Sequence, residues 1–346
     1  MFKTEPLEVM HSHIHRLIIY LLMVAIGWAG ENAKAAPPLV LTLSAKANGS
    51  EIQSALDNLP SGGEVLLSSG TYEISQPLLL RHNDIALRGS GLSTVLHLAN
   101  HANCPVVILA PPMTQVKSPA THLLLADLLI DGNRQNQKVE FWKSAGDGSE
   151  INNNGIQIWN VNDATVDHVT CCRCRSGGLV TASVRRLQVS GFDSYDNQFD
   201  GLACYETEDS HFTNLHLHDN LGAGISLDLA FNHNFFTNSV LAGNDLGIFM
   251  RHSCNNVFQA LTISKSHHHG VFMAQATVGR RLCPDTQCVG NDFQNLMVSD
   301  CGGKAFQVND ASCVNNEISG AKFIHNQGGL GQPTNQTLRV RELAQW

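Results

Sequence analysis

The chain has 346 residues, with 30 acidic against 22 basic side chains and a formal charge of −8. An acidic surface of this kind argues against nucleic acid and anionic membranes as partners, because both repel it. Ten cysteines are a moderate number for an exported chain.

Residues 11–16 are polar and weakly basic, residues 17–30 are almost wholly apolar, and Ala33-Lys34-Ala35 fits a small-x-small cleavage site. The apolar run is short for a membrane span, which takes about 20 residues, and suits a signal peptide. An uncleaved N-terminal anchor is the competing reading. No cysteine follows the run closely enough to suggest a lipoprotein. Residues 1–35 are therefore expected to be a signal peptide, with a mature start near Ala36 and export to the periplasm or beyond. Their removal leaves the net charge unchanged, since Lys3, Arg16 and Lys34 balance Glu5, Glu8 and Glu31. The rest, residues 36–346, reads as a single domain and a monomer with no membrane contact.

Residues 50–59 predict a short amphipathic helix. Ser50 and Gln53 fit a capping box, and Ile52, Ala55, Leu56 and Leu59 fall on one stripe. Pro60-Ser61-Gly62-Gly63 ends it. Strand-like segments follow at 64–67, 78–80, 85–88, 94–98, 106–109 and 122–130, with turns at Ser69-Gly70 and Gly89-Ser90-Gly91. Residues 131–154 are polar, lack periodicity and read as a long functional loop.

A repeat begins at Gly155. Gly155, Gly178, Gly201, Gly224, Gly247 and Gly270 stand 23 residues apart, each heading a short alternating strand: GIQIW, GLVTA, GLACY, GISLD, GIFMR and GVFMA. A fixed period with one strand signature per unit marks a solenoid. Residues i and i+23 are then vertical neighbours, about 4.8 Å apart. An apolar column stands twelve residues before each glycine (Val166, Val189, Phe212, Phe235, Phe258), and another seven before (Leu217, Val240, Ile263). Three strand segments per turn, with polar corners between them, predict a triangular coil. Asn197 and Asn220, with Asn244 one place off, suit amide pairing between turns. The step from Gly270 to Ala305 is 35 residues, and the excess falls around 277–287. The regular coils are expected over 155–326, with a frayed polar tail after Gln327. The helix at 50–59 is placed to plug the open end.

The segments IQSALDNLPSGGEVLLSSGTY and LLIDGNR, with the repeated GIxL…N.F…LxI…N pattern, resemble the right-handed parallel β-helix of the pectate-lyase-like superfamily over most of the mature chain. The expected fold is an all-β, three-sheet solenoid of about 23 residues per turn. The resemblance implies a carbohydrate-active protein whose substrate groove runs along the GIxL sheet. The superfamily also holds hydrolases, adhesins and periplasmic binding proteins.

On that sheet the first and third residues after each glycine are apolar and face inward, so the second and fourth face outward. The fourth-place column reads Trp159, Ala182, Tyr205, Asp228, Arg251, Ala274, and the corner beyond it Asn160, Ser183, Glu206, Leu229, His252, Gln275. Proton abstraction beside a uronate carboxylate needs a cation to neutralise the acid and a base or acid near the carbon. Arg251 fits the first role and Tyr205 or His252 the second, with Asp228 orienting the arginine. Glu206, Trp159, Arg173, Asp200 and His269 are expected to bind neighbouring sugars. The competing reading makes Asp228 and Arg251 a surface ion pair. The alternatives are a glycoside hydrolase using Asp228 with Glu206 or Asp200, and a non-catalytic periplasmic or surface protein, such as a copper-delivery partner binding through His267–His269.

The chain lacks the Asn-Thr-Asp, Asp-Asp and Gly-His-Gly signatures of polygalacturonases. It also lacks the arginine-rich signature and clustered calcium aspartates of pectate lyases. Where mannuronan C5-epimerases carry Asp-Pro-His-Asp, it has Ala203-Cys204-Tyr205-Glu206. No metal site and no cofactor are therefore expected, with calcium left open but supported by no motif. Cys171, Cys172 and Cys174 lack a second Cys or His pair at zinc-finger spacing, Cys204 reads as core, and Cys283 with Cys288 suits a small disulfide loop. The expected partner is an acidic polysaccharide.

Overall fold

The computed structural model describes residues 39–346 except 116, 139–152, 279–280, 283, 333, 335, 342–343 and 346. The expected signal peptide and most of the 131–154 loop lie outside the described residues. Everything described from Leu39 onward forms one unit, a right-handed parallel β-helix of the hand that parallel crossovers adopt.

Ile156 pairs with Leu179, Leu179 with Leu202, Leu202 with Ile225, Ile225 with Ile248, and Ile248 with Val271. The 23-residue register therefore holds through the first face, which runs from Leu78–Leu80 at one end to Gly328–Gly331 at the other. A second face stacks Gln188–Ser190, His211–Thr213, Phe235–Thr237 and Val257–Gln259, and a third stacks Asp193–Tyr195, His216–His218, Val240–Ala242 and Thr262–Ser264. Leu123–Asp131 and Thr165–Cys172 run unbroken round the corner between these two, joining them into one hydrogen-bonded sheet.

Corners are made by residues in the left-handed region. Asn160, Ser183, Glu206, Leu229 and His252 form one such column, with φ between 42° and 55°. Asp163, Arg186, Asp209, His233 and Asn255 form the next. Small polar side chains tolerate this conformation best, which accounts for the Asn- and Asp-rich corners. One corner carries an extra residue: Ala230 follows Leu229 with φ 65°. His211 consequently pairs with Phe235, 24 residues on, and Phe235 with Val257, 22 residues on.

That insertion corrects two expected core positions. Phe236 and Leu241 are fully buried, whereas Phe235 and Val240 are 42% and 39% exposed. Phe212, Phe236, Phe258 and Phe293 stack inside the coil, with ring centroids 4.4, 5.2 and 4.7 Å apart. Amide ladders close two corners. Asn197 donates to Asn220 (2.8 Å) and Asn220 to Asn244 (2.9 Å), while Asn234, Asn256, Asn291 and Asn316 form a second buried run at 2.9–3.1 Å. Each amide also caps backbone groups that a corner would otherwise bury unpaired.

The helix spans Gly49–Asp57 and buries Ile52 and Leu56 against the first turn. Its capping box is Asn48 with Glu51, not Ser50 with Gln53. Gln53 instead clamps both backbone groups of Leu79, at 2.7 and 3.2 Å. Strands Val40–Leu43 and Gly70–Ile74 add to the expected set. The tail is not frayed, because Leu338–Arg341 pairs with Asn316–Ser319 and continues the coil. The excess residues after Ala274 include a small antiparallel hairpin, Thr277–Val278 with Arg281–Leu282. Cys288 is a buried free thiol in contact with Cys313, so the expected loop disulfide does not form there; Cys283 lies outside the described residues.

Candidate active site

The first face brings together most of the residues singled out above. Trp159, Ala182, Tyr205 and Asp228 are successive strand partners, and Arg251 ion-pairs with Asp228. Asp228 has only 7% of its side chain exposed. One carboxylate oxygen accepts from the Leu229 N–H at 2.8 Å and the other from Arg251. One oxygen thus holds the guanidinium while the other ties the carboxylate to the backbone. Arg251 lies over the Phe249 ring at 5.2 Å, and its Nε is buried with no hydrogen-bond partner among the described residues.

Phe249 stacks on Phe272 at 5.8 Å, and Phe272 on His269 at the same distance. These outward second-place residues form an aromatic platform beside Arg251. Nδ1 of His269 accepts the Lys304 N–H at 2.9 Å, which leaves Nε2 as the protonated nitrogen of the neutral ring. Burial, with His268 and Lys304 nearby, lowers the His269 pKa and keeps it neutral. Arg251 sets a positive charge at the edge of this platform.

Asp200 sits at the corner before Gly201. It accepts the Ala223 N–H at 2.7 Å and a hydrogen bond from Ser226, the outward residue beside Tyr205. A Cβ on Gly222 would lie 2.6 Å from the Asp200 carboxylate and 2.7 Å from the Phe199 carbonyl carbon, so only glycine allows this approach. Burial pushes the Asp200 carboxyl up to about 6, with a smaller push from Asp245, against these hydrogen bonds. Burial also raises the Tyr205 pKa, reinforced by Asp200, Asp228 and Cys204 and partly offset by Arg251. Tyr205 is therefore held as the neutral phenol.

The remaining expected residues divide. His252 and Glu206 occupy left-handed corner positions at the groove edge. Glu206 is exposed and accepts from Ser183; Trp159 is half-buried at the far end of the column. Arg173 is not in this groove. It lies at a corner beyond the third face, where its guanidinium forks onto Asp131 at 2.6 and 3.1 Å, and Asp131 also meets His97 at 2.8 Å. His267–His269 do not converge: His268 binds Asp245 at 2.8 Å, His269 turns to Lys304, and His267 is exposed.

With this geometry in view, the sequence model of the family described as periplasmic copper-binding protein (NosD) matches residues 130–338. The chain belongs to the NosD family. No curated protein matches it. Among solved structures, this NosD-family chain is similar to the A-module of the mannuronan C-5 epimerase AlgE4 of Azotobacter vinelandii (16% identity, 89% of this chain and 95% of that one, TM-score 0.58). It is also similar to a polygalacturonase from Erwinia carotovora ssp. carotovora (14% identity, 91% and 98% covered, TM-score 0.60). A GH87 α-1,3-glucanase catalytic domain matches with TM-score 0.67 at 11% identity over 90% of this chain, which spans 59% of that one. At such identities these likenesses establish the parallel β-helix fold. The periplasmic description of the NosD family agrees with an exported chain.

The family description names copper, and the groove does not fit it: the buried carboxylate is spent on Arg251, whose charge repels a cation. Among the described residues, one group alone brings three donor atoms within 4.8 Å of one another, namely Asp193, His216 and His218 on the third face. Cys171, Cys172 and Cys174 are buried but form no such group. The sequence carries this group as His-Leu-His on a strand, with Asp193 one period before His216.

Proposed function

We propose that this periplasmic protein processes an acidic polysaccharide along its first face, by abstracting a proton beside a uronate carboxylate. The observation that carries this reading is Arg251. A buried, doubly committed Asp228, the strand partner of Tyr205, fixes it at the edge of an aromatic platform two strands from that tyrosine. A sugar stacked on Phe249 and Phe272 places its carboxylate on Arg251, where the developing enolate charge is stabilised. Asp200, titrating near 6, is ionised at neutral pH and takes the proton from C5; Tyr205, held neutral, returns one. Delivery of that proton to the O4 leaving group gives chain cleavage with an unsaturated uronate, and delivery to the opposite face of C5 gives epimerisation. The epimerase and polygalacturonase names among the structural neighbours support a glycan substrate. Hydrolysis by a carboxylate pair is disfavoured, because Asp228 is ion-paired with Arg251.

The test is incubation with a panel of acidic polysaccharides, read by ultraviolet absorbance of unsaturated uronates, reducing ends and C5 configuration by NMR. The reading expects absorbance or C5 inversion, and a loss of about 10²–10³ in kcat/KM on Arg251→Ala. Reducing ends without absorbance establish hydrolysis instead, and full activity in Arg251→Ala removes the proposed role.

A further inference from the structure

We infer that Asp193, His216 and His218 form an exchangeable site for a late first-row divalent metal, copper(II) foremost, on the third face and apart from the glycan groove. Asp193 and His216 are direct strand partners, and His218 lies two residues further along the same strand. Leu217 between them is fully buried, so both imidazoles project outward together. Asp193 Oδ1 lies 3.2 Å from His216 Nδ1 and 3.5 Å from His218 Nε2. Donors held at about 2.0–2.1 Å from a common metal stand roughly 2.9–3.5 Å apart at angles near 90–120°, so both separations match a shared ion.

Two further observations point the same way. Asp193 Oδ1 is buried, yet neither nearby ring offers it a correctly aligned N–H, so it has no hydrogen-bond partner among the described residues. His218 is also oriented from behind: its Nδ1 meets Asp219 at 2.7 Å, leaving Nε2 for the metal in a carboxylate–histidine–metal arrangement. Tyr195 stacks on the His218 ring at 4.9 Å and His216 at 4.2 Å, which gathers the two imidazoles side by side on this face.

Two imidazoles and one carboxylate suit copper, nickel or zinc over calcium or magnesium, which require more oxygen ligands, and copper(II) binds such a set most tightly. His216 is 52% exposed, so the remaining coordination positions open to solvent and the ion can leave.

The experiment titrates the whole chain with copper sulfate by calorimetry, with electron paramagnetic resonance of the loaded protein and zinc chloride as a redox-inert second probe. The expected result is one equivalent with hyperfine coupling to two nitrogens, at least about 100-fold weaker in H216A/H218A. Asp219→Ala weakens it roughly 10- to 100-fold, as loss of an orienting partner does, and H267A/H268A/H269A leaves it unchanged. Asp193→Asn, nearly isosteric, reads the same site should the double variant fail to fold. Absence of copper and zinc binding in the wild type overturns the inference. So does retention of the equivalent and its nitrogen coupling in H216A/H218A and Asp193→Asn.

Discussion

Replacing Phe236 with alanine tests the coil's internal register most sharply. Phe236 is fully buried, stacks on Phe212 at 4.4 Å and Phe258 at 5.2 Å, and meets Phe231 at 6.0 Å. Removing a buried phenyl ring typically costs about 3–5 kcal/mol, through lost transfer energy and the cavity left behind. Packed turns above and below restrict collapse, which places Phe236 in the upper part of that range. Phe235, its neighbour, is 42% exposed and stacks only on His211 at 5.1 Å. Phe235→Ala therefore costs about 1 kcal/mol or less, the value of a half-exposed ring in one stacked pair. Urea unfolding of both variants, followed by far-ultraviolet circular dichroism with slopes compared, reads the difference. Because repeat arrays lose cooperativity, a single transition must be verified first. A Phe235→Ala cost equal to or above that of Phe236→Ala refutes the extra residue at Leu229–Ala230 and the core built on it.

Further expectations follow from the groove and the ladders. The Asp200 carboxyl is raised to about 6 from an ordinary value of 3.8, so the native state holds this proton more tightly than the unfolded chain. Its ionisation costs stability as pH rises from about 4 to 6, by roughly 1–3 kcal/mol. Asp200→Asn should remove that cost, gaining stability over wild type from pH 4 to 7, while abolishing the proton-abstraction step. Parallel wild-type and variant stability curves across this range contradict the assignment. Gly222→Ala forces a Cβ against Asp200 and the Phe199 backbone and should destabilise by about 1–3 kcal/mol with activity falling alongside. Wild-type thermal stability of this variant would count against the cradle. Asn256→Ala strands the Asn234 N–H and the Phe231 carbonyl in the interior and should cost about 2–4 kcal/mol, measured by denaturant unfolding; a cost under 0.5 kcal/mol would show the ladder to be dispensable.

The fold was legible because a solenoid writes its vertical contacts at a constant sequence spacing. The glycine period predicts the strand partners Tyr205 and Asp228, and the ion pair of Asp228 with Arg251, before any coordinates are seen. It fails where a corner gains a residue, since Ala230 in the left-handed region moves the inward position from Phe235 to Phe236 without breaking the pattern of apolar letters. The tail escapes the pattern because Gly328–Gly331 lacks apolar alternation and takes its place through backbone pairing to the preceding turn. The position of Arg173 does not follow from the period, because corner residues sit outside the alternation rule that sorts strand side chains. Asp200 titrating near 6 depends on burial and on Ser226 one turn away, which no local motif encodes. Phe249 and Phe272 fall at outward second-place positions, but only the stacking of their rings beside Arg251 marks them as a platform.

The account rests on Arg251 meeting a sugar carboxylate on the first face. A crystal structure of the Asp200→Asn protein with a short acidic oligosaccharide addresses this directly. The account predicts a uronate ring over Phe249 and Phe272, with its carboxylate on the Arg251 guanidinium and its reacting carbon beside Tyr205. A sugar bound on another face, or lying on the first with its carboxylate turned from Arg251, contradicts it.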